Sequence, residues 1–240
     1  MKTSIKTNVK TLLADTLTPV NVYLKIRDKF SNPLLLESTD FNGDDNSYSI
    51  VCFESIASIC VDNKTLITHC PHKEPLKRTV TNTMSIPNEI HSFISSFELI
   101  NTDVPLRVEG FFGYNSYDAV TYFEDIQLQT KTKPEYNIPE IALYFYKYII
   151  AFNHFKSELY IIENLTNEEE SSIHEIESII HNKSFNTYSF KATSSERSNF
   201  TDEEFIEIIK KGKEHCYKGD VIQLVLSRQF SRSFIGDEFN

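Results

Sequence analysis

Glu37 and Ser38 close the apolar run Leu34-Leu35-Leu36, which puts an acid and a hydroxyl at what reads as a strand end. A carboxylate in that place is costly unless a cation or hydrogen-bond donors meet it. Two readings fit. One is an edge-strand terminus with Ser38 forming a turn. The other is a pocket where Glu37 receives the ammonium of a small ligand and Ser38 adds a polar anchor. Gln223 lies inside the run Val221-Ile222-Gln223-Leu224-Val225-Leu226, and a buried amide there needs hydrogen-bond partners. With alternating faces it shares one with Val221 and Val225, as a core polar residue or as an amide lining a pocket.

His69-Cys70-Pro71-His72 is the one local cluster of metal-ligand residue types. Zinc takes four ligands in paired spacings, and no second pair lies nearby, so a loop histidine pair is the better reading. Glu168-Glu169-Glu170 sits where a helix is expected to open, and the helix dipole accounts for the three carboxylates. No GxSxG, HExxH or Walker-type loop occurs.

The elements that hold these residues are strands first. Asn21–Ile26, Tyr48–Phe53, Ile56–Val61 and Thr65–Thr68 read as strands, the last two joined by an Asp62-Asn63-Lys64 hairpin. A helix opens near Pro87, with Ile90, Phe93, Ile94 and Phe97 on one face. A strand over Leu106–Phe112, a helix around Tyr117–Phe123, and strands Ile141–Phe152 and Leu159–Ile162 follow. Thr166 and Glu169 fit a capping box for a helix carrying Ile173, Ile176, Ile179 and Ile180. Asn182–Asn199 is polar and reads as a linker or covering loop. Thr201 and Glu204 repeat the box for a helix with Phe205, Ile208, Ile209, Gly212 and Cys216 on one face, stopped by Lys218-Gly219. Val221–Leu226 then reads as a buried strand whose covering partners do not follow, as in a domain cut short. The fold class expected is α+β, with mixed or antiparallel sheets and packed helices.

The 240 residues allow one large domain or two modest ones, with 40% hydrophobic and 24% charged residues, as in a globular protein. Thirty-four acidic side chains against 24 basic ones give a net charge of −10. That field repels phosphate backbones and anionic lipid, so neither nucleic acid nor a membrane is an expected partner. The start of the chain is polar, and the four cysteines are scattered without a CxxC pair. Reduced thiols in a cytoplasmic protein are expected.

Four segments, in order, resemble anthranilate synthase component I. They are Leu34-Leu35-Leu36-Glu37-Ser38, Ser47-Tyr48-Ser49, Gly110 to Asp118, and Gly219 to Arg228. The resemblance covers the chain from about Val20 to Asn240. It implies an amino-terminal regulatory domain over 1–199, with a linker near 183–199, and the start of a chorismate-binding catalytic domain over 200–240. It further implies conversion of chorismate and ammonia to anthranilate and pyruvate in tryptophan biosynthesis, with Mg²⁺ on the substrate carboxylate. The ammonia would come from glutamine through an amidotransferase subunit, component II, and tryptophan would act as feedback inhibitor. On the same resemblance Glu37 meets the ammonium of tryptophan, and Ser38 and Tyr48 line its pocket, although some relatives carry lysine near Tyr48. Gln223 falls where hydrating relatives carry a basic lysine, and a neutral amide suits ammonia, which needs positioning more than deprotonation. The family's metal ligands and chorismate-binding basic residues would lie beyond Asn240, so no turnover is expected of this chain alone. Aminodeoxychorismate synthase component I shares the architecture, and a stand-alone tryptophan-binding module is the reading from another class.

Overall fold

The computed structural model describes residues 2–37, 47–100, 110–128, 138–166 and 169–239. They divide into two compact units, Met1–Phe185 and Asn186–Asn240.

The first unit is built on a mixed sheet. Its strands are β1 (Thr3–Leu13), β2 (Leu34–Leu36), β3 (Tyr48–Asp62), β4 (Thr65–His69), β5 (Leu76–Thr79), β6 (Phe97–Ile100), β7 (Phe112–Asn115), β8 (Ile141–Asn153) and β9 (Glu158–Thr166). Among the described residues their order is β5-β4-β3-β8-β9-β1-β6, with β2 beside β3 and β7 beside β8. Of these described strands only β1 and β6 run parallel. Among the described residues its α-helices are α1 (Pro19–Ile26), α2 (Ile86–Ile94) and α3 (Ile173–His181).

The long strands β3 and β8 serve more than one core. Near one end, Val51, Phe53, Tyr148, Ile150, Phe152, Leu159 and Ile161 pack beneath α1 and α3. Residues of alternate parity, Cys52, Ile149, Ala151, Tyr160 and Ile162, pack together on the opposite face. At the other end Ile59, Val61 and Ile141 pack with Ile86 of α2 and Ala119. A bulge between Ser55 and Ala57 separates the two ends. Bulges raise local twist and redirect side chains, and Glu54 beside it has a positive φ of 58°. Two expected strands, Tyr48–Phe53 and Ile56–Val61, are therefore one.

Other differences have local causes. Asn21–Ile26 is helix, not strand: Thr18 caps it by accepting the Asn21 N–H at 3.2 Å, and Pro19 opens it. Val22 and Ile26, at i and i+4, are both fully buried. The polar start Thr3–Leu13 is a strand between β9 and β6. Leu106 lies outside the described residues, and β7 covers Phe112–Asn115 instead. A Cβ at Gly113 would stand 1.9 Å from the Ala142 carbonyl oxygen, so this approach of β7 to β8 requires glycine. Tyr117–Tyr122 forms a 3₁₀ turn rather than an α-helix.

The box at Thr166 does not open α3. Thr166 pairs with Ile5 in the sheet, so it cannot serve as a helix cap. Its N–H still donates to Glu169 at 3.3 Å, but the helix begins after Ser172. Glu163 receives that end: its carboxylate, fully buried, accepts the Ser172 N–H at 2.8 Å and the Ser171 hydroxyl at 2.6 Å. Glu168 lies outside the described residues. Glu169 stands 3.8 Å from Lys147, so it is an ion-pair partner rather than a helix-dipole cap.

The second unit has α4 (Asp202–Lys218) and two small ladders. Strand β10 (Phe190–Ala192) pairs with β13 (Phe234–Gly236), and β11 (Arg197–Ser198) with β12 (Phe230–Ser231). Part of the expected linker is thus sheet. The box at Thr201 forms in full, and Gly219 ends the helix at φ +81°. Among the described residues Val221–Leu226 pairs with no strand and takes no regular structure. Leu224 and Leu226 reach α4 at Gly212, where a Cβ would meet them at 3.0 and 3.1 Å. The expected buried strand fails because a strand needs neighbours for its N–H and C=O groups, and none stands beside this one.

Candidate functional site

The site begins where β2 meets β3. Leu34, Leu35 and Leu36 stand opposite Cys52, Val51 and Ile50. Glu37 follows directly and is exposed, so the carboxylate at the strand end is solvated rather than buried. Ser38 lies outside the described residues. Tyr48, two positions before Ile50, is half-buried and packs with Leu34 and Ile50 around Cys52, Ala151 and Tyr160. The ladder therefore brings the end of β2 and Tyr48 to one end of one face.

Partners across the strands complete this end. Tyr48 stands opposite Asn153, and Asn153 opposite Glu158. The Asn153 amide donates to the Tyr48 hydroxyl at 2.9 Å. Tyr160 donates its hydroxyl proton to Glu158. That bond to a carboxylate, with burial second, pushes the Tyr160 phenol up to about 12. Burial pushes the Cys52 thiol far above its usual range, which leaves it an unreactive thiol. On the other side of β3, Ser49 Oγ and His154 Nε2 lie 2.7 Å apart. A cavity of about 220 Å³ is lined there by Leu17, Thr18, Phe152, Asn153, His154 and Ser157. None of Asn153, Glu158 and Tyr160 stood out in the sequence. Asn153 reads there only as the start of a turn, and register alone carries it to Tyr48.

Gln223 belongs to the second unit and is exposed. Ile222 and Val225 beside it are 104% and 82% exposed. The amide is therefore not a buried core residue of this unit. His69 and His72 do not join in a metal cluster either. His72 Nε2 lies 3.0 Å from Thr166 Oγ1, as a loop histidine with a hydrogen-bond partner. Among the described residues no three His, Cys, Asp or Glu side chains form a group that could hold a metal. No helix among them is long and apolar enough to cross a membrane.

The family of chorismate binding enzymes matches residues 41–240. The chain belongs to that family. It is 29% identical over 259 residues to anthranilate synthase alpha subunit 1, chloroplastic, of Arabidopsis thaliana, covering 95% of this chain and 43% of that protein. It is 27% identical to anthranilate synthase component 1 of Lactococcus lactis, covering 97% of this chain and 50% of that one. The crystal structure of anthranilate synthase component I from Streptococcus pneumoniae TIGR4 superposes with a TM-score of 0.58 at 18% identity. It matches 97% of this chain and 51% of that one. The mixed α+β architecture is thus that of a solved relative, and this chorismate binding enzyme chain spans about half the length of the proteins it matches.

Proposed function

We propose that this chain contributes the amino-terminal half of an anthranilate synthase component I, which makes anthranilate and pyruvate from chorismate and ammonia. The observation that carries the reading is the run of anthranilate synthase relatives aligned over 94% or more of this chain. In this reading residues 1–199 form the regulatory part and residues 200–240 begin the catalytic part, in the cytoplasm. Ammonia arrives from a glutamine amidotransferase subunit. Tryptophan inhibits by binding at the β2–β3 end, its ammonium on Glu37 and its body beside Ser38 and Tyr48. Gln223 lines the ammonia pocket once further strands flank Val221–Leu226, where a neutral amide positions ammonia without acting as a base. The described residues offer no set of ligands for Mg²⁺. In this proposal the metal is held elsewhere in the enzyme.

The complete enzyme, assayed by anthranilate fluorescence with chorismate and ammonium, is expected to turn over, and the 240-residue chain alone is not. Formation of aminodeoxychorismate in place of anthranilate would overturn the assignment in favour of the folate-type relative. Glu37→Ala in the complete enzyme is expected to relieve tryptophan inhibition while sparing turnover. Unchanged sensitivity would remove Glu37 from the effector site.

A further inference from the structure

A second cavity lies at the opposite end of β3 from Tyr48, and it holds about 370 Å³. That is room for a small molecule. Three connections wall it. The β3–β4 turn brings Lys64, the β5–α2 connection brings Asn82 and Met84, and the 3₁₀ turn brings Tyr122. Hydrogen bonds tie these connections together. Val80 donates its N–H to the Lys64 carbonyl at 2.8 Å, and Met84 donates to the Thr81 carbonyl at 3.0 Å. Glu140 joins the other two: its carboxylate accepts the Asn63 N–H at 3.1 Å, and its carbonyl accepts the Ser116 N–H at 2.8 Å. Asn63 and Lys64 have φ of 47° and 59°, the left-handed pair of a tight hairpin turn. The walls are thus fixed by backbone bonds of the protein itself.

The floor is apolar and the rim is polar. Val80, Met84 and Tyr122 pack on the core of Ile59, Val61, Ile86 and Ala119. On the rim, Thr121 donates to the Asp118 carbonyl at 2.9 Å, and the Thr81 and Thr83 hydroxyls lie 3.1 Å apart. Among the described residues the Lys64 ammonium, the Asn82 amide and the Tyr122 hydroxyl have no hydrogen-bond or ion-pair partner. The acids nearby are engaged by Asn63 instead: Asp62 accepts its side-chain amide at 2.9 Å, and Glu140 accepts its backbone N–H. Burial first, and the Glu140 charge second, hold the Tyr122 phenol above its ordinary value, so it keeps a proton to donate. The cavity therefore presents one cation and two neutral donors over a floor with a thioether and an aromatic ring, both of which suit a flat ring.

We propose that this cavity binds a small aromatic carboxylate, with Lys64 meeting the charge, Asn82 and Tyr122 donating to it, and Val80 and Met84 carrying the ring. One lysine matches one negative charge, and the apolar floor favours a ring over an inorganic anion. The site shares no residue with the tryptophan reading and stands independently of it.

Met84 supplies the probe, because the chain has two methionines, Met1 and Met84. Carbon-13 methyl NMR of the 240-residue chain would follow titration with benzoate and with benzamide, its neutral isostere. Benzoate is expected to shift the Met84 methyl signal to saturation with a Kd below about 1 mM, and benzamide to bind at least about fivefold more weakly. The Lys64 side chain is exposed and unpaired, so Lys64→Gln spares the fold. That variant is expected to lose at least about fivefold in benzoate affinity, with benzamide changing less than about twofold. A Met84 signal unmoved by about 10 mM benzoate would overturn the proposal. So would equal affinity of the unaltered chain for the two ligands, a comparison that needs no variant. An equal loss of both ligands in Lys64→Gln would overturn it as well, since the lysine would then not be reading the charge.

Discussion

Ile141–Asn153 and Val221–Leu226 are both dense in branched apolar residues, yet they reach opposite ends. In the first, β3 and then β7 and β9 stand on either side, and Ile149 and Ile150 are 1% and 0% exposed. In the second no strand among the described residues stands on either side, and Ile222 and Val225 face solvent. The apolar pattern is the same kind of signal in both. It states that a segment needs neighbours and is silent on whether they are present. The two helix N-termini make a parallel contrast. That of α4 is closed by Thr201 and Glu204, three residues apart, with bonds of 3.2 and 2.8 Å. That of α3 is closed by Glu163, which reaches it from strand β9.

Hydrogen exchange would show the largest difference. Amides of Tyr148–Phe152 are expected to exchange at least roughly 10³-fold more slowly than those of Val221–Leu226, the ratio for a core opening that costs about 4 kcal/mol. Comparable protection in the two segments would break the contrast. Next comes Glu163→Gln. Replacing a buried acceptor leaves the Ser171 and Ser172 donors poorly met and is expected to cost the first unit about 2 kcal/mol in urea denaturation. A loss as small as that of a surface change would mean the carboxylate does not organise α3. Thr201→Ala should cost α4 about 1 kcal/mol, read as lost helicity in the second unit with the first unit's unfolding midpoint unmoved.

The smallest effect concerns Lys25, which is buried and donates to the Ile180 carbonyl at the end of α3 at 2.5 Å. Burial lowers its pKa below 10.5. Between the lowered value and 10.5 the unfolded chain binds more protons than the folded one, so stability rises with pH across that window. Relative to Lys25→Met, the unaltered protein is therefore expected to gain stability as pH climbs toward 10.5. A difference between the two that does not vary with pH would show that desolvation of the ammonium is not felt.

What could be read in the sequence followed from local physics. The Asp62-Asn63-Lys64 hairpin, the helix over Ile86–Ile94 (without Phe97, which begins β6 and pairs with Thr3) and the whole of α4 with its cap and glycine stop depend on residues a few positions apart. Misreadings arose where distant chain decided. Val22, Leu24 and Ile26 fit period two as well as a short helix, and the decisive signal, Thr18-Pro19, lies just outside the run. Thr166 has the chemistry of a cap, but pairing with Ile5 claims it for the sheet.

The candidate site divides in the same way. Sequence alone determined that an acid closes an apolar strand at Glu37 and that an amide sits in an apolar run at Gln223, because residue type and neighbours are local facts. Only the tertiary structure decided that Tyr48 stands opposite Asn153 and that Asn153 donates to it. It also decided that the Gln223 segment pairs with no strand. Those outcomes depend on register between strands far apart in the chain, and on which neighbours fill a strand's hydrogen bonds.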